Sequence, residues 1–179
     1  AARVAVGMGA EVTILERNPR RLRELEDRFD GRARVLMSDA LTLAEEVTQA
    51  DVVIGAVLIP GAAAPKLITR ELLGRMRERA IIVDVAIDQG GCAETSRPTT
   101  HDNPTYVVSN VLHYCVANMP GAVPATSTRA LTNATLPYIR ALADHGIDEA
   151  IARDPRLAKG VNVRGGEVLI EALKTPAAA

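Results

Sequence analysis

Apolar and polar residues alternate along the chain in blocks that predict strands and helices in turn. Short apolar runs, typical of strands, are followed by segments whose apolar residues recur every three or four positions, typical of helices. The predicted strands span residues 12–16, 33–37, 51–57, 81–87 and 105–109. The runs at 51–57 and 81–87 are almost continuously apolar, which indicates burial on both faces of a sheet. This order predicts an α/β fold built on a doubly wound parallel sheet.

The pattern changes after Pro124. A long helix with a kink at Pro137 and an end at Gly146 is predicted there, because proline interrupts helices and glycine terminates them. Short helical stretches follow. We therefore expect two parts: an α/β domain at residues 1–124, and a hinge helix with a short helical segment of a second domain at residues 125–179.

The chain begins inside a predicted helix rather than before one. In dinucleotide-binding folds a glycine-rich turn opens the first helix, and an acidic residue follows about 20 residues later at the end of the second strand. Glu16 ends the first predicted strand, so counting back places that turn before Ala1. Gly7 and Gly9 follow the helix instead of opening it. We expect a Rossmann-like sheet that lacks its first strand and its glycine loop, with an unpaired edge on either side of the missing strand.

Composition and charge exclude several kinds of partner. The 179 residues include 21 Lys and Arg against 22 Asp and Glu, a formal charge of -1, so no basic surface for nucleic acid is expected. Aromatic residues make up 2% of the chain, too few for a base-stacking platform. No apolar run reaches the roughly 18 residues of a membrane span. Cys92 and Cys115 are far apart and show no metal-ligand spacing, which favours a reducing, cytoplasmic location and no metal.

Two polar residues stand where the first two predicted strands end. Glu16 is typical of the acid that accepts hydrogen bonds from an adenosine ribose and repels the additional phosphate of NADP; an ordinary strand-end acid is the competing interpretation. The adjacent Arg17 weakens the preference for NAD, since an arginine there can face a phosphate. Ser38 is suited to an adenine pocket or, nearly as well, to capping the next helix.

Further candidates follow the later strands. Val57 begins an apolar segment, residues 57–62, that is suited to lie against a nucleotide. Asp88 stands before two glycines, just beyond a central strand. Open α/β sheets bind their ligands at this edge, so Asp88 is the best candidate for catalysis. Asn118 lies in a segment with a Pro-Gly turn, where its amide can hold a carboxamide. The three histidines show no paired base or orienting group.

Several long segments together closely resemble alanine dehydrogenases. They are GMGAEVTILERN, DVVIGAVLIPGAAAPKLIT, VDVAIDQGGCAETSRPTTHDNPTY, YCVANMPGAVPATSTRALTNATLPYI and LAKGVNV. The resemblance implies an NAD-dependent, reversible conversion of L-alanine to pyruvate and ammonia. It matches Asp88 to the family's active-site aspartate and Glu16 to its acid on the adenosine ribose, where many members have Asp. The family's other cofactor contacts match Ser38, Val57, Leu67, Val85, Asn118 and Met119.

The resemblance also implies features beyond these residues. The family's catalytic histidine, and the lysine and arginine that hold the substrate carboxylate, belong to its N-terminal half and have no match in this sequence. The helix after Pro124 would return to the substrate domain, and the subunits would form homo-oligomers, often hexamers. Two other interpretations stay open. One is the α-type subunit of a nicotinamide nucleotide transhydrogenase, which passes hydride between two nucleotides; the other is a noncatalytic NAD-binding remnant.

Overall fold

Strands and helices follow one another through most of the chain, as the sequence predicts. The computed structural model describes residues 1–59 and 63–170. The helices are α1 (Ala2–Gly7), α2 (Pro19–Phe29), α3 (Ala40–Gln49), α4 (Arg70–Leu73), α5 (Pro124–Arg153) and α6 (Pro155–Ala158), with 3-10 helices at Val85–Gln89 and Met119–Ala122. The strands are β1 (Thr13–Glu16), β2 (Arg34–Met37), β3 (Val52–Gly55), β4 (Ile81–Asp84), β5 (Thr105–Val108), β6 (Val111–Tyr114), β7 (Val163–Arg164) and β8 (Glu167–Val168).

The chain divides into two compact units. The first, which we call the α/β unit, comprises Ala1–Leu58 and Ala64–Ala117. The second, the C-terminal unit, comprises Ile59–Ala63 and Asn118–Ala179. The residues that directly follow strands β1 to β4 therefore lie in the α/β unit, apart from Ile59–Ala63, which is assigned to the C-terminal unit.

The sheet structure of the α/β unit is mainly parallel. β1 pairs with β2, and β3, β4 and β6 pair in that order, all in parallel. The two sets form separate sheets, so β1 and β3 each keep an edge that bonds to no other strand of the described residues. These are the two unpaired edges that the sequence predicts. The expected burial of β3 on both faces is wrong, since its Val52 and Ile54 are 50% and 42% exposed.

One expectation about the sheet is wrong. β5 does not join it in parallel; it forms an antiparallel hairpin with β6, a strand that the apolar pattern did not indicate. Ser109 and Asn110 make the turn with φ angles of 50° and 61°, which fits the type I′ turn that closes two-residue hairpins. Asparagine adopts this conformation readily, but serine is a weak signal for it, so the sequence alone does not reveal the hairpin.

The helices pack against the strands with their apolar faces. α2 begins as predicted, because the Asn18 side chain accepts hydrogen bonds from backbone N–H groups of the first turn and Pro19 follows it. Leu25 and Phe29 of this helix pack with Ala33 in a small core. A larger core combines residues of helices, loops and strands: Val47, Ile68, Leu72, Leu73, Met76, Ala80, Ile82, Ala93 and Val111. It anchors β4, the strand that leads to Asp88.

The C-terminal unit is mostly one interrupted helix. Gly146, with φ 76° and ψ 170°, breaks the helical backbone of α5 at the predicted position, but the helix resumes beyond it and reaches Arg153. Pro137 lies inside the helix, and the non-helical backbone is at Gly146. After α6 the chain forms the antiparallel pair β7 and β8, so the segment predicted to be helical is not only helical within the described residues. Residues 171–179 of the predicted second part lie outside the described residues. None of the helices in the two described ranges combines the length and the apolar content that a membrane crossing requires.

Candidate active site at the carboxyl ends of the strands

Glu16 and Ser38 are brought together where β1 and β2 end. Glu16 lies opposite Met37 in the parallel pair, and the Ser38 N–H donates to the Glu16 carbonyl at 2.9 Å. The half-buried Glu16 carboxylate is oriented by its own turn, since Oε1 accepts from the N–H of Arg17 at 2.7 Å and of Asn18 at 2.9 Å. Both bonds use one oxygen, so the second oxygen can accept from a ligand.

Ser38 does not cap the following helix. The cap of α3 is Asp39, whose Oδ1 accepts from the Thr42 N–H at 2.8 Å. This backbone hydrogen bond is the main reason why the pKa of Asp39 is lowered. The capping interpretation of Ser38 is therefore excluded, and Ser38 is a half-buried residue whose backbone is bonded to Glu16.

The strand predicted at residues 81–87 is shorter in the structure. β4 ends at Asp84, and the 3-10 helix Val85–Gln89 begins directly after it. The Asp84 carboxylate caps this helix by accepting from the Ala86 N–H at 3.1 Å. Such a local bond competes with strand pairing, which explains why an apolar run does not continue as strand.

Val85 and Asp88 share the exposed face of this 3-10 helix. Val85 is 47% exposed and Asp88 is also exposed, whereas Ala86 and Ile87 between them are 7% and 3% exposed. A 3-10 helix has three residues per turn, so side chains three positions apart lie on the same side. A predicted cofactor contact and the predicted catalytic carboxylate are thus presented together at the end of β4.

Val57 and Leu67 approach the same region from a neighbouring segment. We call residues 85–96 the Asp88 loop. The Leu67 N–H donates to the Cys92 carbonyl of this loop at 2.7 Å, and the Lys66 ammonium donates to three loop carbonyls at 2.5 to 3.2 Å. Val57 packs against a small buried cluster that includes Cys92, while residues 60–62 of its apolar segment lie outside the described residues. The structure therefore brings Val57 and Leu67 to the loop that carries Val85 and Asp88.

Asp84 is a candidate that sequence reasoning missed. Its side chain is 0% exposed, and its Oδ2 accepts from the Cys92 N–H at 2.8 Å and from the Ser96 hydroxyl at 2.5 Å. A signal was present in the sequence, since a carboxylate inside an apolar strand must find hydrogen-bond partners when it is buried.

Cys92 is an inert thiol in this environment. It is 2% exposed, and burial, reinforced by the nearby Asp84 carboxylate, raises its pKa to about 12. The thiolate is the reactive form of cysteine, so Cys92 contributes packing rather than nucleophilic chemistry.

Asn118 and Met119 belong to the C-terminal unit. Asn118 adopts a left-handed backbone with φ 58° and ψ 51°, directly before the 3-10 helix Met119–Ala122. Asparagine is one of the few residues that tolerate this conformation. Their roles as cofactor contacts stay predictions.

His113 lies inside β6. It is 0% exposed, stacks on the Tyr106 ring with centroids 4.9 Å apart, and both ring nitrogens are bonded. Nδ1 lies 3.0 Å from the Val111 carbonyl and Nε2 lies 2.8 Å from the Thr95 hydroxyl. The carbonyl can only accept, so Nδ1 carries the proton and Nε2 accepts from Thr95. His113 thus has a structural role.

Burial lowers the pKa of His113, which predicts a loss of stability in mild acid. The unfolded chain takes up the proton near the ordinary value of 6.5, whereas the folded protein resists it, so the free energy of unfolding falls as pH drops below about 6.5. Urea unfolding at about pH 7.5 and 5.5 should show this loss, and His113→Gln should reduce it. The exposed His101, changed to Gln, is the control. Equal pH dependence in the wild type and His113→Gln would contradict this assignment.

An α/β fold whose polar candidates follow the carboxyl ends of parallel strands defines a Rossmann-like protein of the nucleotide-binding class. The sequence model of the family described as "Alanine dehydrogenase/PNT, C-terminal domain" matches residues 1–171. The chain belongs to this family, which confirms the resemblance noted in its sequence.

Individual relatives agree with this assignment. The chain is 58% identical over 173 residues to an alanine dehydrogenase of Halomonas elongata, and 56% identical over 173 residues to one of Mycolicibacterium smegmatis; each match covers 97% of this chain and 47% of the relative. A solved structure named L-alanine dehydrogenase superposes with a TM-score of 0.84 at 49% identity, covering 97% of this chain and 48% of that one. The chain therefore spans about half the length of the curated relatives it matches.

A more distant structure shares the fold alone. It is a transhydrogenase from Sinorhizobium meliloti, with a TM-score of 0.67 at 23% identity, and the match covers 91% of this chain and 43% of that one.

Proposed function

We propose that the complete protein, meaning the gene product that contains this chain, catalyses the NAD-dependent, reversible oxidative deamination of L-alanine to pyruvate and ammonia. The observation that carries the proposal is the shared exposed face of Val85 and Asp88 at the end of β4. It sets a carboxylate beside an apolar residue, as a reaction between a bound nicotinamide and a small polar substrate requires. We infer the substrate, L-alanine, from the relatives, which are named alanine dehydrogenases.

The residues of the α/β unit fit a dinucleotide. Glu16 and Ser38 are adjacent at the end of β1 and β2, and a carboxylate oxygen and a hydroxyl would be available there to the adenosine end. Val57 and Leu67 border the Asp88 loop and Val85 belongs to it, and all three have side chains suited to lie against a flat ring. We assign Asn118 and Met119 to the nicotinamide end, on the resemblance alone. The domain assignment proposed for residues 1–124 is accordingly NAD binding, and residues 125–179 would form the hinge helix and part of the substrate domain.

Asp88 would carry the proton chemistry that this chain contributes. Bound NAD would supply the acceptor for the hydride that leaves the α-carbon of L-alanine. The exposed Asp88 carboxylate can accept a hydrogen bond from the substrate amino group and take up its proton during deamination. Water supplies the oxygen of pyruvate, and the nitrogen leaves as ammonia.

Assembly and location complete the proposal. We expect a homo-oligomer, and a hexamer in particular, from the family resemblance. A cytoplasmic location is supported by Cys92 and Cys115, which are both buried free thiols, as proteins of reducing compartments commonly have.

The alternative functions have weaker support. The transhydrogenase subunit shares the fold at 23% identity, whereas alanine dehydrogenases are 56% and 58% identical over nearly the whole chain. The noncatalytic remnant is distinguished by experiment. The complete protein should form NADH from NAD and L-alanine, with pyruvate and ammonia as products. Hydride exchange between two nucleotides without use of alanine would support the transhydrogenase, and NADH binding without either reaction would support the remnant.

Glu16→Ala should weaken NAD binding about 10- to 100-fold, because hydrogen bonds to a charged group contribute about 1.5–3 kcal/mol. The same change should reduce discrimination against NADP, since it removes a negative charge beside Arg17. NADH and NADPH fluorescence titrations measure both effects. Glu26→Ala, which removes an exposed acid of α2, is the matched control. If Glu16→Ala bound NADH like the wild type, Glu16 would not be the ribose ligand.

A further inference from the structure

Asp84 is a buried carboxylate for which the proposed reaction has no direct use. Its side chain is 0% exposed, and it ends β4, directly before the 3-10 helix that carries Asp88. A buried carboxylate is unfavourable unless it is well hydrogen bonded. The partners of Asp84 therefore indicate what it stabilises.

The hydrogen bonds of Asp84 join the two ends of the Asp88 loop. Oδ1 accepts from the Ala86 N–H at 3.1 Å, near the start of the loop. Oδ2 accepts from the Cys92 N–H at 2.8 Å and from the Ser96 hydroxyl at 2.5 Å, near its end. Asp88 lies between these attachment points. Because hydrogen bonds to a carboxylate are stronger than those between neutral groups, they hold this part of the loop in one conformation.

Two glycines leave space for the carboxylate. A Cβ atom at Gly91 would lie 2.7 Å from Oδ2, and one at Gly55 would lie 3.1 Å from Oδ1. Gly91 also has a φ of +78°, a conformation that glycine adopts without strain. The backbone thus approaches the carboxylate closely at both oxygens, and little room remains for it to move.

We infer that Asp84 is a positioning residue for Asp88, an inference that rests on the proposed function. Asp84 is fully buried, and its carboxylate accepts hydrogen bonds from two backbone N–H groups of the Asp88 loop. By fixing the 3-10 helix, it keeps Asp88 and Val85 on one exposed face. A shift of about 1 Å in a catalytic group can lower a rate about 100-fold, so this support should be visible in turnover.

The test compares Asp84→Asn and Ser96→Ala in the complete protein. Asparagine keeps the shape but places an NH₂ group against N–H donors, and we expect kcat for L-alanine to fall about 100-fold. Ser96→Ala removes one of the bonds, and we expect a loss of about 3- to 10-fold. The Kd for NADH should change less than kcat in both variants, because Glu16 and Ser38 lie outside the loop, although the proposed cofactor contact Val85 lies within it. Unchanged kcat in both variants would overturn the inference.

Two controls separate positioning from general stability. Val111→Ala truncates a fully buried core residue at the start of β6, and despite its lower Tm it should keep kcat within about twofold. In the Asp88→Asn background, Asp84→Asn should lower kcat no further, because a residue that acts only through Asp88 has nothing left to position. Effects that multiply in the double variant would show that Asp84 acts by another route.

A measurement without turnover distinguishes failure of this inference from failure of the proposed function. If the wild type does not oxidise alanine, the proposed function is wrong, and amide exchange still decides the role of Asp84 in the loop. Asp84→Asn should speed exchange at the Ala86 and Cys92 amides about 10-fold or more relative to Val111→Ala. Unchanged exchange at both amides would overturn the role of Asp84 in holding the loop.

Discussion

In the complete protein, Asp88→Asn should lower kcat for L-alanine oxidation by about 1000-fold, within the range that a positioned acid or base contributes. The substitution keeps the size of the side chain and removes both its charge and its ability to take up a proton. Because Asp88 is exposed on the 3-10 helix while Ala86 and Ile87 fill the core side, its replacement should leave the loop folded and NADH binding nearly unchanged.

Steady-state kinetics and NADH titration check this prediction together. A loss of kcat with an unchanged Kd for NADH is the pattern of an interaction made during the reaction. Asp102→Asn, at another exposed acid of the same unit, should retain wild-type turnover. Near-normal turnover of Asp88→Asn would remove this carboxylate from the mechanism.

Gly55→Ala should destabilise the protein by about 3 kcal/mol, the upper part of the range for overpacking a core. The added Cβ would lie 2.2 Å from the Cys92 sulfur and 3.1 Å from the Asp84 carboxylate. Gly55 is buried, and Cys92 is held by its N–H bond to Asp84, so neither neighbour can withdraw easily. The strained contacts would lie between the paired ends of β3 and β4, next to the Asp88 loop.

The double variant Gly55→Ala/Cys92→Ala tests the cause of this loss. Removing the sulfur opens the space that the new methyl group needs, so the double variant should be more stable than the sum of the two single changes predicts, by more than about 1 kcal/mol. Gly7→Ala is the matched control, since a Cβ there meets no atom within 4 Å, and alanine should slightly stabilise α1. Urea unfolding measures all four. Strict additivity would show that the Cys92 contact is not the source of the loss.

Local features of the sequence predicted local structure well. Asn18 and Pro19 begin α2 because a cap and a fixed φ act on neighbouring residues. Gly146 interrupts α5 because glycine adopts a positive φ without strain, which is also a local property. Glu16 was expected at a strand end and lies there. Its companion Ser38 was ambiguous between pocket and cap, and only the position of Asp39 as the observed cap resolved this.

The candidate site was predicted in part. Its residues could be located after particular strands, because ligand sites of parallel sheets follow carboxyl ends. The shared face of Val85 and Asp88 could not be predicted, since the apolar run was compatible with strand as far as Ile87. The hairpin of β5 and β6 was hidden by a turn of Ser109 and Asn110, which carries no strong sequence signal.

The sequence by itself determined the alternation of elements, the family, and the identity of the polar residues at the strand ends. These depend on periodicity and on motifs, which act over a few neighbouring residues. Only the tertiary structure decided that Asp84 is buried and joins both ends of the Asp88 loop, and that Lys66 and Leu67 bind that loop from another segment. The physical reason is that a buried carboxylate and a backbone carbonyl take their partners from whatever the fold brings near, at sequence separations that no local pattern records.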